Sequence, residues 1–391
     1  MNFIKSLALP VVLTLGTFAC SSEPDELYFP LPSHELEVVR SQSQSFMVDT
    51  LFSGLNRPYS MAFLPDSTVL ITEREGKLLR VRKGELQDEP VKGVIDAELR
   101  DIILHPQYEE NGWIYMTYYL EQTEEDGAYT VLSRGRLEGD TWIDNEVLFS
   151  AGPFSNGANW YSSRILFDKE GYIYMTVGQR HKWPREVGRA QRESWGYAQD
   201  LSLYQGSTVR LLDDGRIPPD NPFVDRTDAL PEIYSYGHRQ NQGLVLHPET
   251  GEIWATEHGE MGGDELNILR YGGNYGWPIA THSLNYDGTY ITRDTLLEGT
   301  EPPVHHWTPA IAPSGLEFVY SDRYPGWEGD LLVASMIQGM VNRCVIQNGR
   351  IVRDEKLIQG VGRVRTIKLA PDGFLYVLTE DTGLILRLLP A

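Results

Sequence analysis

One phrase recurs six times along this chain, and it restricts the fold more than any other feature. It consists of an apolar alternation, a turn rich in Pro, Asp and Gly, and a second β-rich run that closes on Thr, Ala or Ser. The copies lie at residues 61–66 with 69–72, 102–106 with 113–117, 165–168 with 171–176, 244–251 with 253–256, 316–320 with 330–335, and 367–373 with 375–379. Pro presets φ at such turns and Gly accepts positive φ, while the flanking β-branched and aromatic residues suit a pleated surface, so each copy reads as a two-stranded hairpin. The copies are separated by roughly 40 to 80 residues, room for a four-stranded blade and a loop of variable length. No amphipathic helical pattern lies between them. A β-sandwich would need as many strands but would not repeat one phrase six times. The expected fold is therefore all-β, a six-bladed β-propeller. Residues 45–52 are the candidate closing strand, pairing near residues 384–388.

The first twenty residues stand apart from this pattern. They carry one charged side chain, Lys5, then an apolar run over residues 6–18, then Ala19-Cys20-Ser21-Ser22, the layout of a secretory signal. The run is short for a membrane span, and a small residue followed by Cys resembles a lipoprotein processing site, with Cys20 as the lipidated N-terminus. Residues 1–20 are thus read as a signal, 21–40, polar with several prolines, as a tether, and 41–391 as the propeller. The expected location is the cell envelope, on the periplasmic side or outer surface, with membrane contact only through the lipid. The remaining cysteine, Cys344, has no partner for an intrachain disulfide.

Fifty-five acidic residues against thirty-four basic ones give a net charge of −21, with no Lys/Arg block. That argues against nucleic acid and anionic membranes as partners and in favour of a neutral small molecule or a cation. Any anionic ligand would need a local pocket of arginines.

Propeller loops gather around the mouth of the central channel, so chemistry is sought there. Three segments stand out: residues 179–201, long and locally basic; residues 234–243, just before the fourth hairpin; and residues 257–265, just after it, leading to 273–278. Arg239, Arg363 and Arg365 fall at or just before inner strands. They either converge on a planar polycarboxylate, which guanidinium groups bind two-pronged, or form salt bridges with the plentiful Asp and Glu. His238 reads as a packed loop histidine. The Gly-rich acidic stretch 257–265 offers the oxygen ligands that calcium needs, or is a plain acidic turn. No zinc spacing, Gly-x-Ser-x-Gly elbow or phosphate-binding Gly loop is present.

The phrases Ser235-Tyr-Gly-His-Arg239, Glu257-His-Gly259, Gly263-Asp-Glu265 and Asn274-Tyr-Gly-Trp-Pro278, supported by Gly54-Leu-Asn-Arg-Pro58, Thr72-Glu-Arg74 and His105-Pro106, resemble the glucose/sorbosone dehydrogenase family. These are soluble quinoprotein sugar dehydrogenases that use pyrroloquinoline quinone (PQQ) and calcium on a six-bladed propeller. The resemblance runs from about Gly54 to the C-terminus. It implies a histidine base, a sugar substrate, an electron acceptor of unspecified kind, and arginines holding the cofactor's carboxylates. Arg239, Gln240, Arg363 and Arg365 match cofactor-binding positions. Backbone oxygens of Gly259 and Glu260 match calcium contacts, and Asp264, Glu265 and Tyr275 fall where a further calcium site can occur.

Departures from the pattern are concentrated in the same pocket. Counting back from Arg164, the catalytic histidine's place is held by Trp160, and an indole is no base at neutral pH. Gln240 replaces an asparagine, Ile337 a lysine, Gln179 an aspartate, and Arg100 interrupts a Leu-Leu pair. Two readings follow: an aldose dehydrogenase with another base, for which His181, His258 and Asp101 are candidates, or a propeller that binds a sugar or anionic ligand without oxidising it, with Trp160 as a stacking platform.

Overall fold

The computed structural model describes residues 27–121, 128–154, 162–179 and 196–391. Six sheets succeed one another along the chain, five of four strands and one of five. The inner strands are Pro58–Phe63, Glu98–Leu104, Ile165–Phe167, Asn241–Leu246, Pro313–Phe318 and Val364–Leu369, here defining blades 1 to 6. Each packs on the inner strand of the next blade, and the sixth packs on the first, so the ring closes. The six-bladed propeller expected from the repeats is the fold.

Closure uses the expected strand. Ser45–Phe52 lies antiparallel beside Ile385–Pro390, with Met47 opposite Leu389, Val48 opposite Leu388 and Asp49 opposite Arg387. Arg387, fully buried, donates to Asp49 Oδ2 at 2.7 Å. The stretch read as a tether differs from expectation. From Leu27 onward it is part of the fold, because its aromatic residues have a core to enter. Tyr28 and Phe29 are buried between blades 6 and 1, Tyr28 donates to Leu64 O at 3.0 Å, and Arg387 donates to the carbonyls of Phe29 and Pro30 at 2.9 and 2.7 Å. Val38–Arg40 then adds a fifth strand to blade 6.

Apolar residues form a cluster between each pair of adjacent blades, such as Leu70, Leu99, Ile102 and Met116 between blades 1 and 2, and Trp254, Leu266, Phe318 and Val333 between blades 4 and 5. A propeller is stabilised mainly by this face-to-face burial. The hydroxyls that close the repeated phrase have a second task. Thr72 Oγ1 donates to Arg100 O of blade 2, Thr117 to Ser163 O leading into blade 3, Thr176 to Asn241 O of blade 4, and Thr256 to Ser314 O of blade 5. Ser314 Oγ then donates to Val364 O of blade 6, and Thr366 to Tyr59 O of blade 1. A hydroxyl bond at each junction thus ties one blade to the inner strand of the next, or to the residues leading into it, around the whole ring.

The inner strands also bulge. Pairing with the second strand skips residue 59 in blade 1, 100 and 101 in blade 2, 242 in blade 4, 314 and 315 in blade 5, and 365 in blade 6. A bulge re-aims the skipped side chain, and the skipped residues include Tyr59, Arg100, Asp101, Gln242 and Arg365. We expect Thr256→Val, which leaves the buried Ser314 carbonyl without this donor, to cost about 1–3 kcal/mol in urea unfolding. Deletion of residues 41–55 is expected to lower the melting temperature of the whole ring, not of one edge; an unchanged midpoint would refute the closure argument.

Candidate functional site

The bulged end of the channel opens into a cavity of about 440 Å³. This is inside the size range of small-molecule sites, roughly 300–1,000 Å³. Six arginines line it: Arg57, Arg74, Arg100, Arg239, Arg363 and Arg365. Gln240, Gln242, His258, Gly259, Glu260, Asp264 and Ile337 complete most of the wall. In a chain of net charge −21, this is a local reversal of sign. A larger, more apolar depression of about 850 Å³, beside Leu31, Met47 and Phe374, lies at the opposite face and gathers no comparable charge.

Arg239 is positioned by its own backbone. Glu257, the last residue of its strand, accepts the Arg239 N–H on Oε1 and His238 Nδ1 on Oε2 at 2.9 Å. His238 stacks on Tyr275 with ring centroids 4.3 Å apart, so it is the packed loop histidine expected. The Arg239 guanidinium lies 5.4 Å from the Trp277 ring, whose N–H donates to Gln179 Oε1. Gln179 N–H in turn donates to Arg239 O at 3.0 Å, so Arg239, Trp277 and Gln179 hold one another.

Arg365 satisfies both readings left open by the sequence. It lines the cavity, and it is also paired with Glu380. Glu380 Oε1 further accepts Arg74 Nη1 at 2.5 Å, Arg74 Nε reaches Glu98 at 2.5 Å, and Arg100 Nη2 lies 2.8 Å from Glu98. Burial opposes ionisation of Glu380, but the guanidiniums of Arg365 and Arg74 outweigh it and bring its pKa down to about 2. Arg57 and Arg74 are absent from the site expected from sequence, and Arg100 enters it only as a departure from the family pattern. The rule that selected Arg239, Arg363 and Arg365, an arginine at or before an inner strand, also selects Arg57 and Arg100, and Arg74 lies two residues after the Thr that closes the first phrase.

The candidate bases fare unequally. Asp101 lies below the cavity, where its carboxylate accepts from Ser60 Oγ (2.6 Å), Ile165 N (3.0 Å), Ile102 N (3.1 Å) and Arg164 Nη1 (3.3 Å). It is a structural acceptor between blades and not a base facing a substrate. His258 does line the cavity, and its Nε2–H donates to Pro313 O at 2.7 Å. Burial, together with the charges of Arg239, Arg365 and Arg363, pushes its pKa down to about 3, which makes it a weak proton acceptor. His181 and Trp160 lie outside the described residues.

The acidic loop is organised from within. Asp264 accepts Gly259 N (2.8 Å) on Oδ1 and Ile311 N and Ala312 N (2.7 Å each) on Oδ2. Three backbone donors engage a carboxylate that the sequence offered as a metal ligand; its place is to hold the loop. Glu260 N–H donates to Ser283 Oγ at 3.2 Å and Met261 N–H to Leu284 O at 3.0 Å, so the peptide planes bearing the Gly259 and Glu260 carbonyls are fixed. Any side chain at Gly259 would meet Gly263 C at 2.7 Å. Tyr275 donates its hydroxyl to Ile268 O (2.5 Å) and accepts Arg270 N–H (2.8 Å), so that hydroxyl is engaged. Glu265 is half-buried beside Glu257, and desolvation followed by that carboxylate's charge pushes its pKa up to about 8. Among the described residues, no three His, Cys, Asp or Glu side chains converge as metal ligands.

The family model described as Glucose / Sorbosone dehydrogenase matches residues 55–387. The chain belongs to this family. Aldose sugar dehydrogenase YliI of Escherichia coli K12 is 35% identical over 357 residues, covering 88% of this chain and 92% of that protein. A crystal structure of a glucose dehydrogenase superposes with a TM-score of 0.81 at 34% identity, covering 88% of this chain and 99% of the other. The PQQ-bound aldose sugar dehydrogenase of Streptomyces coelicolor superposes with a TM-score of 0.67 at 25% identity, covering 88% and 98%. For this family member, Glu380→Gln is expected to cost roughly 3 kcal/mol at neutral pH. Because the folded pKa of Glu380 is depressed, its contribution is present above the unfolded value near 4.5 and is lost as pH falls toward about 2. The stability-versus-pH curve of the variant should be flatter than wild type across that acid window.

Proposed function

We propose that this glucose/sorbosone dehydrogenase family member is a PQQ-dependent aldose dehydrogenase of the cell envelope, with calcium beside the cofactor. The observation that carries the proposal is the arginine-lined cavity at the channel mouth of an acidic protein. A planar polycarboxylate suits this donor set, since each guanidinium offers a rigid fork to a carboxylate. Arg239, Gln240, Arg363 and Arg365 would hold the cofactor. The Gly259 and Glu260 carbonyls would face calcium, and the raised pKa of the half-buried Glu265 is one that a neighbouring cation would relieve. When bound, the quinone supplies a two-electron acceptor for hydride and calcium polarises it. The chain's own part is to orient: Glu257, Trp277 and Gln179 fix Arg239, while Glu380 fixes Arg365. The Nε2–H bond to Pro313 leaves Nδ1 of His258 as a hydrogen-bond acceptor.

The second reading is a propeller that binds a sugar or an anion without oxidising it. It is favoured by the low basicity of His258 together with Trp160 at the family's histidine position. The lipid on Cys20 and the envelope location rest on residues 1–22 and are tested by metabolic fatty-acid labelling of wild type against Cys20→Ser.

Adding PQQ and calcium to the purified protein should change its visible spectrum, and Arg239→Met should weaken that binding at least about tenfold. Aldose oxidation with an artificial acceptor should follow. Binding without turnover, restored by Trp160→His, selects the second reading; no binding at all removes the quinoprotein proposal.

A further inference from the structure

One arginine of the cavity, Arg57, has a role that the proposed cofactor does not fill. Arg74, Arg100 and Arg365 each have a carboxylate oxygen of Glu98 or Glu380 within 2.8 Å. The Arg57 guanidinium forms no hydrogen bond among the described residues. Its nearest carboxylate oxygen there, Glu380 Oε1 at 4.0 Å, already accepts Arg74 Nη1 at 2.5 Å. The Arg57 side chain is 47% exposed and lines the cavity, so it stands at the solvent edge of the opening.

Its backbone, by contrast, is fully engaged. Leu55 N–H donates to Gly383 O of blade 6 at 3.2 Å, Asn56 N–H to Glu73 Oε1 at 2.5 Å, and Arg57 O accepts Arg74 N–H at 3.1 Å. These bonds hold Arg57 at φ 49°, in the left-handed region that residues other than glycine seldom adopt. Backbone of this kind persists only where its surroundings over-determine it, and it gathers at ligand sites. Ala312, at φ 47°, lines the same cavity. Glycine would take the Arg57 conformation without steric cost, so what the position gains from arginine is a guanidinium fixed at the opening.

We propose that the sugar taken up here is acidic: an aldose that carries a carboxylate or phosphate remote from its anomeric carbon, with Arg57 as the residue that selects it. The three carboxylates of PQQ would be matched by Arg239, Arg363 and Arg365, which lead into or lie on the inner strands of blades 4 and 6. Arg57, which leads into blade 1, is then a cation without an anion at the edge where a sugar enters. A guanidinium binds a carboxylate or phosphate two-pronged, through charge-assisted bonds about twice as strong as those to a neutral hydroxyl. Arg57 touches the substrate but not the bond that is oxidised, so it sets specificity. Oxidation of the bound sugar rests on the aldose dehydrogenase reading; its binding does not.

Binding is measured with glycosides that have no free anomeric hydroxyl to oxidise. Calorimetry on protein with PQQ and calcium should favour methyl β-D-glucuronide over methyl β-D-glucoside at least about tenfold in wild type, and less than about twofold in Arg57→Gln. Arg57→Gly suits the left-handed backbone and should lose the preference equally, which separates the guanidinium from damage to the loop. In turnover with an artificial acceptor, the ratio of kcat/KM for glucuronate to that for glucose should fall by a similar factor in both variants. Glucose 6-phosphate in place of glucuronate tells whether the preferred anion is a phosphate or a carboxylate. With PQQ bound, equal wild-type affinity for both glycosides, or an undiminished preference in Arg57→Gln, would overturn the assignment and leave the quinoprotein reading standing. If PQQ fails to bind while the protein alone prefers the glucuronide only with Arg57 present, Arg57 keeps its role and the quinoprotein reading falls.

Discussion

The structure depends on a hydroxyl bond made once at every junction between blades. Face-to-face apolar packing brings the blades together, but it is non-directional and would tolerate sliding along the strands. The bond from Thr or Ser to the inner-strand carbonyl of the next blade removes that freedom at one level of the ring. At the same level the inner strands bulge, and the skipped residues turn toward the axis. Register and the geometry of the cavity are thus set by the same few residues, and a ring assembled in register has already placed Arg100, Gln242 and Arg365 around one opening.

Electrostatics then divide the molecule. The net charge of −21 repels anions in general, while the channel mouth concentrates guanidiniums where low solvent access strengthens their field. Glu98 and Glu380 do not cancel this field. They sit behind the arginines and brace them, as Glu257 braces the backbone of Arg239 and Asp264 braces the loop of Gly259. The site is therefore presented by buried carboxylates, each engaged from several sides, and its rigidity is inherited from them.

The repeated hairpin phrase was sufficient to read the ring and its closing strand, because strand alternation and turn chemistry are local properties. The convergence of Arg239, Arg363 and Arg365 could be anticipated from their equivalent places in different blades. What could not be read was how side chains were already engaged. Asp264 looks like a metal ligand in an acidic Gly-rich stretch, yet its oxygens are taken by amides of residues 259, 311 and 312, two of which are more than forty positions away. Asp101 looks like a base beside the pocket, yet it ties blades 1, 2 and 3 together. Residues 27–30 look like part of a polar spacer, since composition averaged over twenty residues hides two aromatics that fill a seam between blades.

That seam has a practical consequence. Tyr28 and Phe29 dock against the turns around Leu64 and the carbonyl-binding Arg387, and the chain ends at Ala391 beside Ser45, both at the face away from the arginine-lined opening. Chain that leaves the described fold at Leu27 or Ala391 departs from that face, so a support coupled at either of these points would leave the arginine-lined opening clear.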